Sequence, residues 1–135
     1  MAIQLSTAVR NARLDAIEST IGASAILRIR TGAPPATCAT ADSGTVLATL
    51  NLPADWMAAA AAGAKALSGT WQDASADAAG TAAHFRLYDS AGTTCHLQGT
   101  VTATGGGGDM TVDNAVLAAG QQFNVTSFTL TDGNS

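Results

Sequence analysis

The sequence predicts a mainly β protein, a jelly-roll-like β-sandwich preceded by one N-terminal α-helix. Three observations predict it. Apolar residues recur at helical spacing only near the start of the chain, over 6–21. From 25 to 131 the pattern changes to short alternating runs punctuated by Gly, Pro, Asn and Asp, the spacing of a sandwich or jelly roll. The 135 residues, 47% of them hydrophobic, suffice for one core without staples, so 1–135 reads as a single domain.

Within 6–21, Ser6 or Thr7 offers an N-cap oxygen and Gly22 a C′ stop. Leu14, Ile17 and Ile21 lie three and four residues apart on one side, with Leu5 and Val9 extending it. Arg10, Asp15 and Glu18 fall mostly away from that side. The 25–30 segment alternates, with Leu27 and Ile29 inward and Arg28 and Arg30 outward. Pro34 and Pro35 make 31–44 a loop, because proline donates nothing to a ladder. A strand over 45–52 ends at Pro53, and 54–66, rich in alanine, is expected to be a loop or one short helix. Strand 67–72 carries Trp71 and precedes a polar loop over 73–80.

The clearest hairpin joins 84–88 to 94–98 through a five-residue turn, Tyr88 opposite Thr94. Phe85, Leu87, Cys95 and Leu97 then share one face, and His84, Arg86, His96 and Gln98 the other. The second strand is expected to extend toward Thr104, and a four-glycine turn over 105–108 follows it. Short strands at 110–112 and 116–117 precede a last strand over 121–131. A phase slip in that strand near Ser127 predicts a bulge. The tail, 132–135, is polar.

Composition narrows the function. Only 12% of residues are charged, against about a quarter in ordinary domains, and the net charge is -4 with a single lysine. Nucleic-acid binding needs clustered cations, and Arg10, Arg13, Arg28 and Arg30 in the first part of the chain are too few. The N-terminus lacks the apolar core of a signal peptide, and the longest apolar stretch, 56–64, is too short to span a bilayer. The expected setting is a cytosol, where Cys38 and Cys95 stay as small buried thiols rather than a disulfide.

No catalytic constellation emerges. His84 and His96 across adjacent strands suggest a shared metal or a proton shuttle, yet no acidic third ligand stands nearby in sequence. That face reads instead as solvated or partner-facing. The glycine run lacks the Lys-Ser/Thr and helix of a phosphate loop, and no Gly-x-Ser-x-Gly elbow is present. Asp73 and Asp77 lack the glycine and glutamate of a calcium loop. Trp56 and Trp71 read as core or interface anchors in preference to sugar-stacking platforms. The expectation is a protein that is not an enzyme and takes no cofactor or metal.

The opening LSTAVRNARLDAIESTIGAS, the middle SGTVLATLNLPADW and GTWQDASADAAGTAAHFRLYDSAGTTCHLQGTVTATGGGGDM, and the closing LAAGQQFNVTSFTLTDGN resemble the capsid cement, or decoration, proteins of tailed bacteriophages, the Bordetella phage type. The resemblance covers nearly the whole chain but offers no short motif that assigns a binding residue. It implies a jelly-roll-like fold on the exterior of an icosahedral capsid, in a virion assembled in the bacterial cytoplasm. The implied partners are the major capsid protein and further copies of this chain, as a dimer or trimer, with no direct contact to nucleic acid or membrane. On that expectation Arg10, Arg13, Arg28 and Arg30 are candidate capsid contacts. Removing 1–22 would then abolish binding and leave a β domain. The alternatives are a tail, connector or fibre-associated β module, or a carbohydrate-binding sandwich.

Overall fold

The computed structural model describes residues 3–132; the last three residues of the predicted polar tail lie outside the described residues. The elements are α1 (Thr7–Ile21), β1 (Ile26–Arg30), β2 (Val46–Asn51), β3 (Ala64–Ala66), β4 (Trp71–Asp73) and β5 (Gly80–Thr81). There follow β6 (His84–Tyr88), β7 (Cys95–Ala103), β8 (Met110–Val112), β9 (Val116–Leu117), β10 (Phe123–Val125) and β11 (Thr129–Thr131). The protein is therefore mainly β, with one helix at the N-terminal end of the described residues.

Helix α1 begins where Ser6 accepts the Val9 amide at 3.2 Å. It ends at Gly22, whose N–H reaches the Glu18 carbonyl at 2.9 Å. Leu14 and Ile21 are buried and Ile17 packs on the core, as the spacing predicts.

Five strands form the main sheet, in the order β2-β1-β6-β7-β8. Leu27 lies opposite Leu50 and Leu87, and Ile29 opposite Ala48 and Phe85, so one face is a continuous apolar surface. The hairpin forms at the predicted place with a changed register. Tyr88 pairs with Cys95 rather than Thr94, and a bulge after Leu87 brings Leu87 opposite Leu97 and Phe85 opposite Gly99. A Cβ on Gly99 would stand 2.8 Å from the Phe85 ring, so the ring fills the space the glycine leaves. That places Phe85 against Phe128, with ring centroids 5.6 Å apart. The aromatic chain continues to Trp71 at 5.8 Å and from there to Trp56 at 6.0 Å. Both tryptophans are buried and their indole N–H groups are satisfied, Trp56 on the Gly22 carbonyl and Trp71 on that of Trp56.

Strands β7 and β8 run parallel although only 104–109 joins them. The strands pair over three residues, so the chain has only about 10 Å to return, and six residues span that. The predicted glycine turn is this return loop: Gly105 and Gly107 have positive φ, and the Gly108 amide binds the Thr102 hydroxyl at 3.0 Å.

Three two-stranded ribbons, β10-β4, β11-β3 and β5-β9, complete the fold. The single strand expected over 121–131 is two. Phe123 and Val125 belong to the ribbon with β4, and Thr129 to Thr131 to the ribbon with β3. The phase slip is thus a crossing between ribbons, with Phe128 buried at the break. The 54–66 stretch forms no helix; Met57 bridges to Leu67, and the chain turns at Ala62 and Gly63 into β3.

Candidate functional site

Two polar assemblies organise the molecule, and each overturns an expectation about which side chains face outward. The first lies under α1. Asn11, Asp15 and Glu18 follow one another along one helical stripe. Their side-chain oxygens accept the backbone amides of Gly63, Ala60 and Met57, at 2.9, 2.9 and 3.1 Å. Each helical turn thereby holds a point three residues further back in the alanine-rich segment. This explains why that segment is not a helix, because its amides are taken by side chains. Asp15 and Glu18 were expected to point away from the docked side; they do the docking alongside Leu14, Ile17 and Ile21.

Lys65, on β3, closes this assembly. Its side chain is 1% exposed, and its ammonium donates to Asp15 at 2.7 Å, Glu18 at 2.9 Å and the Ala58 carbonyl at 2.9 Å. All three N–H groups are used. Burial disfavours the charged form of Lys65, but the two carboxylates outweigh it and hold its pKa above the ordinary lysine value. At the other end of the stripe, Arg10 donates to the Asp132 carbonyl at 3.1 Å and Arg13 to its carboxylate at 3.2 Å, tying the helix to the end of β11.

The second assembly covers the other face of the main sheet. Arg28, Arg30, His84, Arg86, Tyr88 and Gln98 project there from β1, β6 and β7, and loop 31–44 folds over them. Gln98 donates to the Pro35 carbonyl at 2.6 Å, and Arg86 to the carbonyls of Thr37 and Cys38 at 3.2 and 2.9 Å. Arg30 donates to the Ser43 carbonyl at 3.4 Å. His84 Nδ1 sits 2.7 Å from the Gly32 carbonyl, which only accepts, so that nitrogen carries the proton. Burial, together with the nearby Arg30 and Arg86, pushes the His84 pKa below its ordinary value, so the ring is neutral at pH 7.

One carboxylate anchors this loop. Asp42 accepts from Arg30 Nη2 at 3.0 Å, from Arg86 Nη1 and from the Tyr88 hydroxyl at 2.7 Å. Burial opposes its ionisation; Tyr88, Arg86 and Arg30 outweigh that and hold the carboxyl below the usual range. Arg28 stacks on the Tyr88 ring, 4.7 Å from its centroid, and donates to the Gly92 carbonyl at 3.1 Å. The expected outward-facing arginines and polar hairpin face are therefore a covered layer. Arg30, His84 and Arg86 are buried, and His96 is the exposed, unpaired residue of the bulge, separated from His84, which pairs with Thr100.

Of the four predicted contact arginines, Arg30 is buried and Arg10 and Arg28 are partly buried on internal partners. Arg13 keeps a side chain 60% exposed. It borders a groove of about 320 Å³ between α1 and β7, lined also by Ala16, Ile17, Thr20, His96 and Leu97. Asp73 and Asp77 hold β2 by accepting from the Thr49 amide and hydroxyl, both at 2.9 Å. Among the described residues no group of three or more His, Cys, Asp or Glu side chains is placed to hold a metal ion. No helix of the described residues is long and apolar enough to cross a membrane.

Sequence reasoning did not single out Asp42 or Lys65. Asp42 sits in a loop of small polar residues with no local signature. Lys65, the lone lysine in an alanine-rich stretch, carried a faint one. The chain matches no family model, no curated protein and no solved structure.

Proposed function

We propose that the protein is a non-enzymatic virion component, a jelly-roll-like sandwich in which the ribbons form the second layer. It decorates the outside of an icosahedral phage capsid and cements neighbouring major capsid protein subunits. It acts there as a homodimer or homotrimer and needs no cofactor. The observation that carries this reading is the tethering: the charged side chains available for chemistry are spent locking α1 and the long loops onto the sheets. Such an arrangement suits a clamp, which has to transmit load without yielding, and repetition over a shell multiplies each weak contact. The sequence resemblance supports the same reading. Both tryptophans lie in the core, which deprives a carbohydrate-binding alternative of its stacking platform.

The surface available to the shell is the Arg13 groove, which combines an exposed cation with the apolar rim of Ile17 and Leu97. The test is co-sedimentation with undecorated shells of the cognate major capsid protein, the oligomer being measured by light scattering. Arg13→Gln removes an ion pair whose arginine is 60% exposed, worth about 1 kcal/mol to the fold, without setting a second carboxylate beside Asp132. It is expected to weaken shell binding about tenfold or more. Ala16→Trp, which fills the groove, is expected to do the same. Binding unchanged in both variants removes the groove; no binding by the parent removes the cement reading in favour of a tail or portal site. Deleting 1–22 is a poor test, because it strands the buried Lys65 without its carboxylates.

A further inference from the structure

We propose that His84 is an acid-sensitive fastener: its neutral ring holds loop 31–44 against the main sheet, and a second proton on that ring releases the loop. The geometry leaves the closed ring one comfortable state. His84 is fully buried, and its Nδ1–H is committed to the Gly32 carbonyl, 2.7 Å away, at the start of the loop. A further proton must therefore go to Nε2. That nitrogen is buried and has no hydrogen-bond partner among the described residues. The surroundings are already rich in positive charge. On β1, Arg30 lies directly opposite His84, and on β6, Arg86 follows two residues along the same face. On β7 the residue opposite is the uncharged Thr100. The loop brings one carboxylate, Asp42, which already serves Arg30, Arg86 and the Tyr88 hydroxyl.

A charged imidazolium would set three buried cations around that single carboxylate. Burial, with Arg30 and Arg86 nearby, holds the His84 pKa below its ordinary value; the Gly32 carbonyl and Asp42 pull the other way and are outweighed. A ring freed into water takes its proton near the ordinary value of about 6.5, the closed ring only at lower pH. The open form therefore binds protons first. Loop closure is whole above about pH 7 and weakens as pH falls through about 6.5, by up to about tenfold per pH unit while the closed ring stays neutral. Asp42 is silent in this window, because its carboxyl is held below the usual range and stays ionised. The loop is the part that yields, since between β1 and β2 it forms no strand and its carbonyls are held by single hydrogen bonds from Arg30, Arg86 and Gln98. Release turns a covered layer into a cationic face of Arg30, Arg86 and charged His84. The device works within one chain and does not depend on capsid binding.

The experiment follows amide hydrogen exchange of the full chain by mass spectrometry between about pH 7 and pH 5, with rates corrected for the intrinsic pH dependence of exchange. Protection of 31–44 is expected to fall about tenfold over that range, while β1 and β6 keep theirs. His84→Gln retains an amide donor for the Gly32 carbonyl and gains no charge, so it is expected to lose this pH response. His96→Gln, at the exposed histidine, is expected to keep it. Nitrogen-15 spectra of the imidazoles read the parent directly, and the Nδ1-protonated neutral form of His84 is expected to persist below about pH 6 while the loop is closed. Charging of the ring at its ordinary pH with the loop still protected would overturn the proposal. So would protection of 31–44 that is indifferent to pH, or an unchanged response in His84→Gln. The spectra of the parent decide the matter even where that variant does not fold.

Discussion

Replacing Asp42 by alanine is the sharpest perturbation of this fold, because one carboxylate serves two buried cations. Arg30 and Arg86 have side chains only 8% and 1% exposed, and among the described residues Asp42 is the one carboxylate paired with them. Breaking a buried pair by removing one partner costs about 3–5 kcal/mol, since the remaining charge is stranded. Asp42 itself is 38% exposed, so water moderates the loss, and about 2–3 kcal/mol is the discounted expectation. For 135 residues the unfolding entropy is about 0.3 kcal/mol per degree, so the melting temperature should fall by about 7–10 °C. The assay is urea and thermal unfolding, with an unchanged urea slope showing that the unfolded state is not altered. Limited proteolysis should localise the damage, with new cleavage confined to 31–44. Asp42→Asn, which keeps an acceptor for Tyr88 and the arginines, should lose about half as much. A shift below about 0.5 kcal/mol for Asp42→Ala would refute the argument that this carboxylate holds the loop, this being the scatter of ordinary surface substitutions.

Three further outcomes follow from the same contacts. Because the Asp42 pKa is depressed in the fold, its contribution is whole above the unfolded carboxyl value of about 3.9. It is lost as pH falls through the lower folded value, so wild-type stability should drop more steeply than that of Asp42→Asn below about pH 4 in urea titrations. Lys65→Ala leaves the Glu18 carboxylate without its counter-ion and the Ala58 carbonyl without the ammonium donor, and should cost about 2–4 kcal/mol, whereas Lys65→Met, which refills the volume, should cost less. Circular dichroism should show the loss as fraying of the helix. Gly99→Ala forces a methyl group against the Phe85 ring and should destabilise by about 1–3 kcal/mol, with altered near-ultraviolet signals from the Phe128–Trp71 cluster; a neutral variant would contradict the close approach.

What was legible in the sequence was local. The Ser6 and Gly22 caps, the Leu14/Ile17/Ile21 stripe, the alternation of Leu27 with Ile29 and the hairpin at 84–98 are set by neighbours within a few residues, and each forms where predicted. The 54–66 stretch stayed open between a loop and one short helix because helix propensity could not be weighed against the competing acceptors on α1, which lie about forty to fifty residues away, and the loop is what leads into β3. The last strand misled because a change of phase has two causes, a bulge or a crossing between ribbons, and periodicity does not separate them.

The candidate site shows the same division. Alternation set Arg28 with Arg30 on one side of their strand and His84 with Arg86 on one side of theirs, and the absence of any catalytic motif made a protein without an assembled catalytic centre the expectation. Whether that face meets water was decided by loop 31–44, which Asp42 ties to two strands at once while Arg30, Arg86 and Gln98 hold its carbonyls. Backbone periodicity is written in each short stretch of sequence. Burial of charge is a property of the closed chain, because a cation is accommodated only once a distant carboxylate has come to meet it.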